Sequence, residues 1–145
     1  MLFTSLCITS TTCLAQATER SLLLVAGQNS QADTLTHAEL RKIFLGVTVI
    51  RNGVRIKPLL NSTDSRATSV FLQQIIFMSE REYKRQLVSR VFRLGGQRPE
   101  EYEDIALLVE ALRTTPGSIS FMWSDQLAQH AGLESLGILW INSSD

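Results

Sequence analysis

THAELRKIFLGVTVIRNGVRIKPLLNSTDSR, from Thr36 to Arg66, changes its structural signal every few residues. Thr36 and Glu39 stand three apart before an apolar-periodic run, the spacing of a capping box in which hydroxyl and carboxylate each take a first-turn amide. The predicted helix runs to Leu45, buries Leu40, Ile43 and Phe44, and stops at Gly46 in the left-handed conformation. Asn52-Gly53 then separates Val47–Ile50 from Val54–Leu60, a two-residue hairpin signal. Alternation of Val54, Ile56 and Pro58 with Arg55, Lys57 and Leu59 predicts that the second strand is half exposed. Ser62-Thr63-Asp64-Ser65-Arg66 follows, and opens a helix through Val70, Phe71, Ile75, Ile76 and Phe77.

Outward from this stretch the alternation continues. Ser21–Ala26, closed by Gly27, reads as a buried strand. Ser79 and Glu82 form a second capping box for a helix reaching about Phe92, broken by Gly95-Gly96 and Pro99. Asp104–Arg113 places Ile105, Leu108, Val109 and Leu112 on one helix face. After the turn at Thr114–Gly117, Ser118–Met122 and Leu136–Ile141 read as strands around a short helix near Ser124–His130. Strands and helices in alternation predict an α/β class, a mixed sheet flanked by helices.

A chain of 145 residues is one ordinary domain, and 44% apolar with 19% charged residues is the balance of a folded globular protein. A formal net charge of +0 argues against bulk electrostatic binding to nucleic acid. The charge is nonetheless segregated. Arg41 to Arg98 holds 12 Lys/Arg against Asp64, Glu80 and Glu82, a balance of +9. Arg20 and Arg113 face 11 acids in the remainder, a balance of −9. Such runs are ordinarily solvated faces that pair across the folded surface, and an anion site inside the basic segment is the alternative.

Residues 1–17 carry no charge and end in Ala15-Gln16-Ala17, small residues at the spacing of signal-peptidase cleavage. The expected division is a signal peptide over 1–17 and one domain over 18–145, exported to the periplasm. Cys7 and Cys13 both fall in the leader, so a mature chain from Thr18 has no disulfide and no thiolate chemistry. No later segment is long and apolar enough for stable membrane insertion.

Catalytic patterns are absent from the sequence. His37 and His130 are the only histidines and form no zinc-ligand pair, no GxSxG surrounds a serine, and neither GxGxxG nor GxxxxGK[ST] occurs. Glu100, Glu101, Glu103 and Asp104 read as charge at a helix N-terminus rather than as an acid/base pair. The expectation is a non-enzyme with no metal and no cofactor.

Ser62–Arg66 is the candidate binding element. Free amides of a first helical turn point outward, and the helix dipole favours negative charge there. Ser62, Thr63 and Ser65 add hydroxyl donors, and Arg66 or Arg98 a charged fork. Asp64 would accept the proton of a monohydrogen oxyanion such as hydrogen phosphate and reject sulfate. Ser/Asp before a helix is equally an N-cap that needs no ligand. Asn29 and Ser30, in the loop after the first strand, are secondary candidates.

ELRKIFLG, the NG hairpin, NSTDS before Phe71 and TTPGSISFM together resemble the phosphate-type substrate-binding proteins of ABC transporters, and more closely their short single-domain periplasmic relatives. The resemblance covers about residues 20–123. It implies one lobe of the type 2 periplasmic-binding fold, with phosphate or a similar oxyanion held at a strand-to-helix loop. It also implies an ABC permease, a sensor or another envelope protein as partner. Thr68 stands where the family's ligand loop often has arginine, and Ser120 stands at the second glycine of the family's GAIGY-like ending. A lobe that has lost its ligand and serves envelope assembly or sensing is the alternative.

Overall fold

The structure, a computed structural model, describes residues 19–142; the expected leader and both cysteines lie outside them. In chain order the elements are β1 (Ser21–Gly27), α1 (His37–Phe44), β2 (Ile50–Arg51), β3 (Val54–Arg55), β4 (Lys57–Asn61) and α2 (Ser65–Phe71). After a π-helical turn at Leu72–Ile76 come α3 (Glu80–Leu94), β5 (Glu100–Tyr102), α4 (Ile105–Thr114), β6 (Ser118–Trp123), α5 (Ser124–Ala128) and β7 (Leu133–Ile141). Local signals explain most boundaries. Both capping boxes form, Thr36 with Glu39 and Ser79 with Glu82. Gly46 takes a φ of 91° just past α1, and Gly95 caps α3 at 64°. Asn52 and Gly53 both have positive φ in the hairpin, where Ile50 pairs with Arg55 and Arg51 with Val54.

Five strands form one mixed sheet in the order β5-β4-β6-β1-β7. β4 runs parallel to both β5 and β6, while β1 is antiparallel to β6 and β7. Apolar side chains leave the sheet on both sides. One side carries Leu22, Leu24, Leu60, Phe121 and Trp123 against α1, α2 and the buried Tyr83 and Leu87 of α3. Phe71 stacks on Phe121 with ring centroids 4.0 Å apart, and Phe44 meets Phe71 edge-on at 4.8 Å. The other side packs Val25, Leu59 and Met122 against Leu108, Val109 and Leu112 of α4. The result is the expected mixed α/β lobe.

Several local expectations change. The first hairpin strand, expected over Val47–Ile50, forms only at Ile50–Arg51. The strand predicted over Val54–Leu60 breaks at Ile56, so that Val54–Arg55 closes the hairpin while Lys57–Asn61 enters the main sheet. Leu59 and Leu60 are then both buried, because β4 has a strand on each side and a helix layer on each face. Phe77 does not continue the helix after Ile76. It stands exposed at a φ of 61° with the Arg41 guanidinium 4.5 Å from its ring centroid.

Glu100 and Glu101 do not line a helix start. They lie in β5, and Asp104 alone caps α4, accepting from the Ala106 amide at 2.8 Å. Ser120, which stands where the resemblance has a glycine, fastens two strands. Its buried hydroxyl donates to the Leu59 carbonyl of β4 at 2.8 Å.

Candidate functional site

The junction from β4 to α2 lies at the end of the sheet where parallel strands β4 and β6 both finish. Asn61, fully buried, is its keystone. Its Nδ2 donates to the Phe121 carbonyl at 2.8 Å, tying β4 to β6. Its Oδ1 accepts from the amide and hydroxyl of Thr63, at 3.0 and 2.7 Å. Its carbonyl takes the Thr68 hydroxyl at 2.7 Å, and the same hydroxyl lies 3.1 Å from the Asp64 carbonyl. The Ser62 amide meanwhile donates to the Tyr102 carbonyl of β5.

Asp64 sits at the N-cap of α2. One carboxylate oxygen accepts from the amides of Arg66 and Ala67 at 2.9 and 3.1 Å. The other accepts the indole N–H of Trp123 at 3.1 Å. Arg20 lies over that indole, 4.7 Å from the ring centroid, and forms an ion pair with Asp125 at 3.0 Å. Arg20 thus adds a second cation near Asp64, beside Arg66 of the loop itself. The Asp125 carboxylate raises the Arg20 pKa, and Arg20 holds Asp125 below the usual carboxylate range. The Ser62 hydroxyl donates to Glu101 at 2.6 Å. Ser65 and Arg66 have exposed side chains at the first turn.

The chain therefore brings Ser62, Thr63, Asp64, Ser65, Arg66 and Thr68 together, with most of their polar groups already bonded within the protein. Thr68 is 7% exposed and turned inward. Asn29 and Ser30 are not part of this group. β1 leaves the sheet at the opposite end, where Ala26 pairs with Ile119 and Gly117 donates to the Ser30 carbonyl. The buried Ser30 hydroxyl accepts from the Ala32 amide at 3.2 Å, a bond internal to its own loop. Arg98 is also remote, because β5 runs parallel to β4 and Glu100 is level with Leu59. Asn61, Trp123 and Arg20 are the participants that sequence reasoning missed. Of these only Asn61 carries a local signal: an Asx turn two residues before Thr63.

Among the described residues no group of three or more His, Cys, Asp or Glu side chains is gathered as a metal-ligand set. No helix there is long and apolar enough to cross a membrane.

A mixed sheet with helices on both faces and a polar loop at a strand-to-helix junction defines the fold class, a lobe of the type 2 periplasmic-binding fold. Among solved structures, the chain is similar to PstS from Borrelia burgdorferi, with 17% identity and a TM-score of 0.56 over 82% of this chain and 47% of that one. It is also similar to a possible phosphate binding protein from Planctomyces limnophilus DSM 3776, with 18% identity and a TM-score of 0.57 over 81% of this chain and 41% of that one. The chain thus spans less than half the length of either structure. No protein-family model matches it, and no curated protein matches it.

Proposed function

We propose that the chain is a one-lobe, solute-binding-like protein that recognises phosphate or a similar small oxyanion in front of α2. The observation that carries this reading is the position of Ser65 and Arg66. They lie exposed on the first turn of α2, beyond the ends of parallel β4 and β6, the edge of an α/β sheet at which ligands ordinarily bind. The likeness of the fold to two solved structures, one titled a possible phosphate binding protein, supports the same ligand class. Asp64 and the hydroxyls of Ser62 and Thr63 would have to exchange internal bonds for ligand bonds, so binding is weak unless a partner covers the site. The protein is exported to the periplasm with cleavage near Ala17, and an ABC permease, sensor or other envelope protein is the covering partner.

Calorimetry on the purified chain with phosphate and sulfate tests the reading. The expected result is saturable phosphate binding in the millimolar range with sulfate silent. Asp64→Asn keeps an N-cap but removes the carboxylate, and should lose the preference for phosphate. Absence of heat and of thermal stabilisation at millimolar phosphate would sink the proposal. One observation favours the alternative, an envelope assembly or sensory protein that keeps the lobe without a ligand. The amides of Arg66 and Ala67, which an anion would use, are already taken by Asp64.

A further inference from the structure

At the other end of β4 from Asn61 lies a cleft of about 370 Å³, within the ordinary size of small-molecule sites. The end of α1, the hairpin and the segment leading into β5 enclose it. Its walls meet backbone to backbone: a Cβ on Gly96 would lie 3.3 Å from the Gly46 carbonyl oxygen. The floor is apolar: Val47, 39% exposed, with Pro58, Pro99 and Pro116, laid over the buried Ile43 and Ile56. Arg55, Lys57 and Arg98 supply the charge.

The charge is only partly balanced. Lys57 pairs with Glu100 at 3.0 Å. Arg55 reaches only the Thr48 hydroxyl, at the 3.5 Å limit of a hydrogen bond, and neither Arg55 nor Arg98 joins an ion pair among the described residues. Two guanidinium groups without carboxylate partners above an apolar floor suit a ligand with two ends. An anionic head gains charge-assisted bonds, and an apolar body displaces water from Val47, Pro58, Pro99 and Pro116, the apolar lining that water reaches. Inorganic phosphate would satisfy only the first requirement.

We infer that this cleft is a second binding site, for a small organic anion whose carboxylate or phosphate head is held by Arg55 and Arg98. Its apolar body lies on Val47, Pro58, Pro99 and Pro116. The site does not depend on the oxyanion loop, since β4 separates them.

Phenyl phosphate titrated into the full chain, followed by backbone-amide NMR and calorimetry, tests it. Saturable binding that moves the Val47, Thr48 and Gln97 resonances is expected. Arg55→Ala with Arg98→Ala should weaken it by about tenfold or more, the loss of two charge-assisted bonds at a partly solvated site. Gln73→Ala, at an exposed position outside the loop and the cleft lining, should leave it unchanged. Both arginines are exposed, and Arg55→Gln with Arg98→Gln keeps the stems should the alanine pair melt early. Failure to saturate, equal affinity in either double variant, or equal affinity for inorganic phosphate at these resonances would overturn the inference. Shifts confined to Ser62–Arg66 would overturn it too, while leaving the oxyanion reading standing.

Discussion

Asn61 concentrates more structural consequence than any other polar side chain near the loop. It is fully buried, and its one amide group joins β4 to β6 and shapes the turn into α2. Asn61→Ala would strand the Phe121 carbonyl and two donors on Thr63, and buried groups left unpaired cost about 1–3 kcal/mol each before any local relaxation. A net loss of about 2–3 kcal/mol in urea unfolding is expected. Asn61→Asp should be at least as damaging, because the donor to Phe121 becomes a buried carboxylate facing a carbonyl. Ser120→Ala removes one strand-to-strand bond to Leu59 and should cost about 1 kcal/mol, a smaller loss because only an acceptor is left. An Asn61→Ala variant as stable as the parent would mean that water replaces the side chain and that the junction is not built as described.

At the level of elements, the capping boxes contribute to how stability responds to acid. Glu39 is held below the usual carboxylate range chiefly by the Thr36 amide, with the Arg51 guanidinium adding to it. Glu82 is lowered in the same way by the Ser79 amide. A depressed carboxylate contributes stability above its unfolded value, about 4.3 for Glu, and that contribution fades as pH falls through the folded value. Stability should therefore stay level from neutrality down to about pH 5 and decline below it. Glutamine also serves at the third position of a capping box and does not titrate near this range, so Glu39→Gln with Glu82→Gln should flatten the acid limb measured by thermal melts. An unchanged limb would assign acid sensitivity to other groups, Asp125 first.

These same elements separate what was legible in the chain from what was not. Caps, the glycine stop and the Asn-Gly turn are decided within a few residues and form as read, whereas the strand expected over Val47–Ile50 shrinks to Ile50–Arg51. The burial of Leu59 depends on β5 and β6, which lie far away along the chain, and alternation alone puts it on the exposed face. Three residues as polar as Glu100-Glu101-Tyr102 carry no strand signal of their own; pairing with β4 makes the strand. In the loop, residue types alone marked a cluster of polar groups but could not show that Trp123 and Asn61 already occupy much of its bonding capacity.

For the whole molecule, the question is whether the segregated charge is neutralised by folding. Four ion pairs join the described residues: Arg20–Asp125, Arg51–Glu39, Lys57–Glu100 and Lys84–Glu80. Only Arg51–Glu39 and Lys57–Glu100 link the basic half of the sequence to the acidic remainder. Exposed pairs of this kind are worth about 0–1 kcal/mol each. Arg81, Arg85 and Arg93 on α3 and Arg66 on α2 enter none of the four and lie on the same side of the sheet, so repulsion among them should outweigh the attraction. Raising sodium chloride from about 0.01 M to about 1 M shrinks the Debye length from about 30 Å to about 3 Å and should raise the melting temperature. A fall would show that the surface pairs dominate. The same titration gives the reference needed for the anion proposal: phosphate compared with chloride at equal ionic strength should stabilise further, because screening is common to both salts and only site occupancy is not. If Ser65→Ala with Arg66→Ala erases that difference while Arg55→Ala with Arg98→Ala keeps it, the added stability belongs to the α2 junction. The reverse pattern would place inorganic phosphate in the cleft at the other end of β4.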